Sequence, residues 1–157
     1  MGRARDSAVT SRMMAAVKNK DSKAELMLRK RLWAAGLRYR KHQPGLIGRP
    51  DIVFPGAGVV VFVDGDFWHG NAWRLRGLTS LADLFPNRTV WWVHKIERNM
   101  QRDCEVTKAL TEAGWVVVRV WESRILTEVD VVAAEVERLV RNRLRNCQDN
   151  ATGEVRQ

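Results

Sequence analysis

Two short apolar segments joined by a tight turn lie in the middle of the chain, between Gly48 and His69. The first segment runs from Ile52 to Phe54 and the second from Val59 to Val63, with a turn over Pro55–Gly58 between them. Apolar runs of this length on either side of a Pro-Gly turn predict a β-hairpin. The hairpin constrains the fold most, because a sheet with apolar strands must be covered by other elements.

Acidic residues stand at the ends of both predicted strands. Asp51 opens the first strand, Asp64 closes the second, and His69 follows shortly after. In a hairpin these two ends lie side by side, so both carboxylates and the imidazole can converge at one edge of the sheet. Such a set is suited to a divalent metal and a base that activates water. Each residue taken alone also has an ordinary explanation, a turn former for the aspartates and a surface ring for the histidine.

The rest of the chain reads as a small mixed β-sheet flanked by α-helices, an α/β fold. Ser22 and Glu25 fit a capping box at the start of a helix, so Glu25 by itself reads as a cap. A helix that leads into a hairpin with Asp at the first strand's start is the layout of the restriction-endonuclease-like core. The predicted elements, besides the hairpin, are a helix from Asp21 or Ser22 to Gly36, a strand over Leu37–His42, an irregular stretch over Gly65–Thr89, a helix over Thr89–Ala113, a central strand over Trp115–Trp121 and a helix opened by Thr127.

Length and charge narrow the class of protein. The 157 residues predict a single domain, with a basic arm over residues 1–20 and a flexible tail from about 147 to 157. The net charge of +9 favours a polyanionic partner, most often nucleic acid. No apolar run approaches the ~20 residues that span a bilayer, and no signal peptide is evident. Cys104 and Cys147 have no metal-type spacing, which suits a reducing cytoplasm.

The long helix carries two kinds of residue that suit nucleic acid. Lys95, Arg98 and Arg102 recur at helical spacing and form a basic stripe, beside an apolar ridge that begins at Trp92. The stripe is either a solvated face or a face that contacts phosphates. The chain also has seven tryptophans, and exposed aromatic rings among basic residues suit stacking on bases or insertion between them.

Taken together, these segments resemble the very-short-patch repair endonucleases, the Vsr family, over about residues 8 to 125. Family members cut one DNA strand beside a T·G mismatch left by deamination of 5-methylcytosine. The resemblance implies a Mg²⁺-dependent bacterial cytoplasmic enzyme that acts as a monomer on double-stranded DNA and works alongside a DNA cytosine methyltransferase. The matching pieces are Lys20-Asp21-Ser22 with Glu25, Arg38-Tyr39-Arg40, Gly48-Arg49-Pro50-Asp51, Phe62-Val63-Asp64-Gly65, Phe67-Trp68-His69-Gly70, Trp92, Lys95-Ile96, Asn99, Arg102-Asp103, Gly114-Trp115 and Val120-Trp121-Glu122.

The resemblance also implies roles for individual residues. Asp51 and the backbone carbonyl of Val63 would bind Mg²⁺, and His69 would be the general base. Glu25 would organise the metal-bound water, in place of a capping role alone, and Asp64 would lie near the metals or the leaving phosphate. The remaining residues would contact DNA: Phe67, Trp68 and Trp92 as rings inserted beside the mismatch, Met14 as an apolar wedge from the arm, and Lys95, Arg98, Asn99 and Arg102 from the long helix.

One departure from the family concerns zinc. Many members hold a structural zinc with Cys and His residues, but the corresponding positions here are Asp66, Asn71, Trp73 and Ser123. These do not form a zinc site. We therefore expect no structural zinc, and expect the loop after the hairpin to be held by packing of Trp73, Leu75 and Leu78.

Two other functions remain open from the sequence. One is a relative that cuts modified or specific unmismatched DNA as a restriction enzyme. The other is a DNA-binding protein without catalysis, against which the retained Glu25, Asp51 and His69 argue.

Overall fold

The computed structural model describes residues 20–153, and the side chains of residues 20–147. Met14 and nearly all of the basic arm predicted for residues 1–20 lie outside the described residues. The elements are helix α1 at Lys23–Ala34, strands β1 at Arg40–Lys41, β2 at Ile52–Phe54 and β3 at Val59–Asp64, helix α2 at Ala72–Leu75, a 3-10 turn at Leu81–Leu84, helix α3 at Thr89–Glu112, strand β4 at Val116–Trp121 and helix α4 at Glu122–Gly153.

The four described strands form one mixed sheet in the order β1-β2-β3-β4. The pairs β1–β2 and β2–β3 are antiparallel, whereas β3 and β4 are parallel and are connected through α3. This arrangement confirms the α/β class and the hairpin. The first strand is shorter than predicted, because only Arg40 and Lys41 of the stretch 37–42 pair with β2.

The position of β4 differs from the prediction. The apolar run over Trp115–Trp121 predicted a central strand, but β4 lies at the edge of the described sheet and is only partly buried. Helices, and not a further strand beside β4, cover its apolar residues, because α3 and α4 both contact β4. A run that is covered on its two faces has the same sequence pattern at an edge as in the middle.

Strand β3 separates two apolar cores. Val59 and Val61 face the core that α1 and α4 complete, and Val60 and Phe62 face the core on the α3 side. Alternate residues of a strand point to opposite faces, so a continuous apolar run is required here. The hairpin ends are thereby fixed between two layers of helix.

Helix α1 begins with a variant of the predicted capping box, in which Glu25 reaches back to Asp21 rather than to the N-cap residue Ser22. Ser22 Oγ accepts a hydrogen bond from the Glu25 N–H at 3.2 Å, and Glu25 Oε2 accepts one from the Asp21 N–H at 2.7 Å. Ala24, Leu28 and Leu32 recur at helical spacing and are fully buried, so they form an apolar stripe along α1. The cap and the stripe together direct the start of α1 at the sheet edge that carries Asp51.

The last helix begins earlier and ends later than predicted. Helix α4 starts at Glu122, directly after β4, and the predicted start at Thr127 coincides instead with a kink at Glu128. Its backbone continues to Gly153, so helical backbone extends into the stretch from 147 to 157 that was predicted as a flexible tail. None of the helices in the described part of the chain has the length and apolar character to cross a membrane.

Candidate active site and nucleic-acid interface

The ends of β2 and β3 open onto a cleft of about 1310 Å³. The start of α1, the loop before β2, the loop after β3 and one face of α3 form its walls. Trp92 and Arg98 are outside the cleft lining, and Arg98 lines a neighbouring groove. The sequence-predicted residues that line the cleft are Glu25, Asp51, Val63, Asp64, Phe67, Trp68, His69, Lys95, Asn99 and Arg102.

The segment Gly48–Asp51 makes a tight turn against α3, and this turn places the Asp51 carboxylate in the cleft. Gly48 has φ +75°, and a Cβ there would lie 2.4 Å from Val106 Cγ1, so only glycine fits this approach. Asp51 then accepts a hydrogen bond at Oδ2 from the Val63 N–H at 2.7 Å. Because the N–H and C=O of one strand residue point to the same side, the Val63 carbonyl also faces Asp51.

We call Asp21, Glu25, His42 and Asp51 the acidic half of the cleft. His42 lies among the three carboxylates, with Nδ1 3.7 Å from Asp51 Oδ1 and Nε2 3.7 Å from Glu25 Oε2. Sequence reasoning missed His42, although it follows β1 directly and its N–H bonds to the Asp51 carbonyl. Arg29 pairs with Asp21 and lies 3.7 Å from Glu25. Even so, His42 Nε2 and Arg29 Nη1 are buried without a hydrogen-bond partner among the described residues.

The acidic half has the chemistry of a site for a hard divalent cation. Burial, together with the nearby Glu25 and Asp64 carboxylates, raises the pKa of Asp51 to about 8, against the lowering effect of the Val63 N–H. Asp51, Glu25 and the Val63 carbonyl offer oxygen atoms, the ligands that Mg²⁺ and Ca²⁺ prefer. Asp21, Glu25 and His42 offer ligand atoms within 4.8 Å of one another. A cation here would relieve the repulsion between these carboxylates, so the residues fit a divalent metal.

We call Asp64, His69, Asp103 and Arg119 the paired half of the cleft. Arg119 donates from Nε to Asp64 Oδ2 at 2.7 Å and from Nη2 to Asp64 Oδ1 and Asp103 Oδ1, both at 2.8 Å. His69 Nδ1 lies 2.5 Å from Asp103 Oδ2. Sequence reasoning assigned no role to Asp103 or Arg119. The available signal was a single arginine within the apolar run of β4.

These contacts shift the pKa values of Asp103 and Arg119 in the paired half. Burial alone would raise the pKa of Asp103, but its hydrogen bond to His69 and the charge of Arg119 bring that pKa below its ordinary value. Burial likewise opposes the charged form of Arg119, whereas Asp64 and Asp103 raise the pKa of Arg119 overall. An ionised Asp103 accepts the Nδ1–H of His69, which leaves Nε2 of that ring free to accept a proton.

An aromatic cluster borders the paired half. The Phe67 ring meets the Trp68 ring edge-on at 5.0 Å between centroids and the Trp92 ring at 5.7 Å. Phe85, which sequence reasoning missed, is buried behind them and stacks on Trp92 at 5.2 Å with planes 7° apart. Phe67, Trp68 and Trp92 keep partial exposure, so the cluster has a buried base and an accessible edge.

Comparison with known proteins agrees with this architecture. The family model described as DNA mismatch endonuclease Vsr matches residues 4–75. The type II nicking enzyme V.NmeDIP of Neisseria meningitidis serogroup C is 44% identical over 126 residues, which cover 80% of this chain and 82% of that protein. The type II nicking enzyme V.HpaIIP of Haemophilus parainfluenzae is 40% identical over 131 residues, 83% and 89% of the two chains. The DNA mismatch endonuclease Vsr of Escherichia coli K12 is 35% identical over 117 residues, 74% and 71% of the two chains. This chain belongs to the Vsr family of DNA endonucleases.

Family membership establishes a DNA endonuclease, so the face of α3 toward the cleft of this Vsr-family chain is a candidate DNA surface. Lys95 and Arg102 line the cleft together with Asn99. Asn99 also holds the loop after β3, because its Nδ2 donates to the Trp68 carbonyl at 3.0 Å. Its Oδ1 accepts from Arg102 Nη2 at 3.1 Å. The predicted basic stripe is therefore linked to the backbone of the aromatic cluster.

Of the four positions where the resemblance places zinc in other Vsr-family members, Asp66 is hydrogen-bonded in this chain to two others, Asn71 and Ser123. Asp66 accepts from the Asn71 side chain at 2.6 Å, from the Ser123 N–H at 2.9 Å and from Ser123 Oγ at 2.8 Å. We call these three residues the Asp66 clamp. The clamp joins the loop after β3 to the start of α4. The predicted packing by Leu75 is wrong, because that side chain is 59% exposed.

Proposed function

We propose that this protein is a Mg²⁺-dependent endonuclease that nicks one DNA strand beside a T·G mismatch formed by deamination of 5-methylcytosine. The observation that carries the proposal is that one cleft is lined by buried carboxylates, an oriented imidazole and partly exposed aromatic rings. The carboxylates and the imidazole suit phosphodiester hydrolysis. The aromatic rings suit insertion into DNA at a mismatch, where base stacking is already weak. Relatives named as type II nicking enzymes and as a mismatch endonuclease support cleavage of one strand.

In the proposed chemistry, Asp51 and the Val63 carbonyl would hold Mg²⁺ at the acidic half, and Glu25 would organise the water around the ion. When bound, the ion supplies positive charge that stabilises the developing charge on the phosphate. His69 accepts a proton from the attacking water at Nε2, because Nδ1 is engaged with Asp103. The ionised Asp103 then stabilises the imidazolium that forms. Each of these groups belongs to this one chain, which supports action as a monomer.

Mismatch recognition is assigned to the aromatic cluster. Phe67 and Trp68 lie in the four residues between Asp64 and His69, so their rings border the reacting groups. A mismatched step is less well stacked than a paired one, and insertion of rings there costs less free energy. Phe85 stacks beneath Trp92 and supports the accessible rings from behind.

Binding to the duplex itself is assigned to positive charge. Lys95, Arg98, Asn99 and Arg102 lie along α3 beside the cleft and the neighbouring groove, in a chain of net charge +9. Contacts of this kind bind any duplex and weaken with salt. The lesion itself arises only where a DNA cytosine methyltransferase has acted, which links the two activities.

A nicking assay on matched duplexes tests the proposal. Duplexes of one sequence would carry T·G, T·A, G·C or methylated G·C at a single position, each with and without Mg²⁺. We expect one nick beside T·G that requires Mg²⁺. Cleavage of matched or methylated duplexes at an equal rate would indicate a restriction-type nuclease, and binding without cleavage would indicate a DNA-binding relative.

A further inference from the structure

We infer that Arg119 is a positioning residue of the active site, which fixes Asp103 and thereby His69, and which withholds Asp64 from the metal. The part that concerns His69 rests on the proposed function. Arg119 lies on β4, whereas its partners Asp64 and Asp103 lie on β3 and α3. One guanidinium therefore joins three elements at the wall of the cleft.

The hydrogen-bond inventory of Arg119 is complete without DNA. An arginine has five N–H groups in a fixed planar fork. Nε donates to Asp64, and Nη2 donates to Asp64 and to Asp103. Nη1 donates to the Asp103 carbonyl at 3.5 Å and to Thr107 Oγ1 at 3.4 Å. All five groups have acceptors within the protein, so contact with a phosphate would require one of these bonds to break.

The surroundings of Arg119 restrict its movement as well. Its guanidinium carbon lies 4.6 Å from the centroid of the Phe62 ring, which is buried in the core on the α3 side. The side chain of Arg119 is only 21% exposed. Stacking on a ring and a bidentate bond to a carboxylate both require the planar group, so lysine cannot replace it without loss.

Arg119 controls His69 through the two oxygens of Asp103. Asp103 Oδ1 accepts from Arg119 and Oδ2 pairs with His69 Nδ1, so neither oxygen can exchange roles while both bonds hold. Without Arg119, the Asp103 carboxylate is free to rotate and to approach solvent. The His69 ring then loses the partner that fixes its orientation and its tautomer.

Arg119 also changes the role available to Asp64. The sequence resemblance set Asp64 near the metals or the leaving phosphate, but both of its oxygens accept from Arg119 at 2.7 and 2.8 Å. Asp64 is buried and its charge is balanced by the guanidinium. Among the side chains of residues 20–147, no arginine or lysine pairs with Asp51, which lies 3.7 Å from His42 Nδ1. The two strand-end carboxylates of the hairpin therefore have different functions.

The first experiment is a double-mutant cycle between Arg119 and His69. Arg119→Met should lower the single-turnover nicking rate about 10- to 100-fold, the range seen when a group that orients a metal-binding histidine is removed. The same change in a His69→Ala background should alter the rate by less than about twofold, because the residue being positioned is gone. Arg138→Met, an exposed arginine on α4, is the matched control and should leave the rate unchanged.

Arg119→Lys repeats the cycle with the positive charge retained, and it carries the test if Arg119→Met does not fold. An equal loss in the wild-type and His69→Ala backgrounds would overturn the positioning role in favour of a general effect on the fold. An unchanged rate in His69→Ala alone would instead refute the proposed base, which is a different failure. As a spectroscopic check, ¹⁵N signals of the His69 ring should show the Nδ1–H form in wild type and a mixture of tautomers in the Arg119 variants.

The second experiment tests Asp64 by direct titration with Mg²⁺ in a calorimeter, without DNA. Asp51→Asn should weaken Mg²⁺ binding at least tenfold, whereas Asp64→Asn should change it by less than about threefold. Equal losses in the two variants would show that Asp64 is a metal ligand, and would overturn its assignment to Arg119.

Discussion

The two halves of the cleft differ in how their buried charges are paired. In the paired half, Asp64 and Asp103 share Arg119, and every bond from Arg119 to their carboxylate oxygens is 2.8 Å or shorter. In the acidic half, the closest approaches of His42 to Glu25 and Asp51 are 3.7 Å, and buried polar atoms remain without partners among the described residues. Both halves stand at the ends of the same two strands.

The contrast indicates which half is complete without a cofactor. In the paired half, one guanidinium bonds to both carboxylates and His69 pairs with Asp103, so this half is organised by the protein alone. The acidic half has an excess of carboxylate, and the pKa of Asp51 is raised to about 8. Repulsion between the carboxylates destabilises the metal-free site, so the site is suited to a cation that binds from solution. The predictions below test this division, from the largest expected effect to the smallest.

Removal of Asp51 should have the largest effect. Asp51→Ala should abolish nicking of T·G duplexes and leave mismatch binding largely intact, because it takes the central ligand from the acidic half. Gel-shift and nicking assays on the same preparation measure the two quantities. Retention of more than a few per cent of the wild-type rate would show that Asp51 is not essential for metal binding.

Removal of His69 should have the next largest effect. His69→Ala should lower the single-turnover rate about 10²- to 10⁴-fold, the usual contribution of a general base. Since His69 belongs to the paired half, affinity for Mg²⁺ measured by calorimetry should stay within about threefold of wild type. A large loss of Mg²⁺ affinity would mean that the two halves are not separate.

The aromatic cluster should affect binding rather than either half of the chemistry. Stacking on an aromatic ring contributes about 1–3 kcal/mol per base, so Trp68→Ala should weaken T·G binding about 5- to 150-fold. Binding to a T·A duplex at the same salt concentration should fall much less, because it depends on contacts with phosphate. An equal loss on both duplexes would identify Trp68 as a support for the fold or the backbone contacts.

The pH dependence of stability should report the acidic half. The pKa of Asp51 is raised from 3.8 to about 8, so the folded state binds more protons than the unfolded state between these values. Metal-free protein should therefore lose stability as pH rises from about 4 to about 8. Thermal unfolding at several pH values measures this trend, which Asp51→Asn should flatten and added Mg²⁺ should reverse at pH 8. The lowered pKa of Asp103 has the opposite sign and acts below that range, so it does not mask the effect.

The Asp66 clamp should give the smallest effect, on stability alone. Elemental analysis should find no stoichiometric zinc, because Asn71 and Ser123 both bond to Asp66 and this set lacks the Cys and His ligands of a zinc site. Asp66→Ala should lower the free energy of unfolding by about 2 kcal/mol, the scale of a lost hydrogen bond to a charged group. About one zinc per chain in the purified protein would contradict the first expectation, and an unchanged unfolding midpoint would contradict the second.

The sequence alone determined the hairpin and the carboxylate at its opening. A Pro-Gly turn between apolar runs specifies a local structure, and Gly48 is required where the chain approaches Val106. The capping box of α1 was likewise readable, because Ser22 and Glu25 act on backbone groups of their own helix end. Such features depend on neighbours in the chain, so their residue patterns suffice.

The tertiary structure decided how the charges are distributed between the two halves. Asp51 and Asp64 have similar settings in the sequence, each at the end of an apolar strand. Only the parallel pairing of β3 with β4, and the packing of α3 against both, brings Arg119 and Asp103 to Asp64. Arg119 is 55 residues from Asp64 in the chain, and ion pairs at such separations leave no local pattern. The same limit explains why β4 was predicted as central, since burial by helices and burial by strands select the same apolar residues.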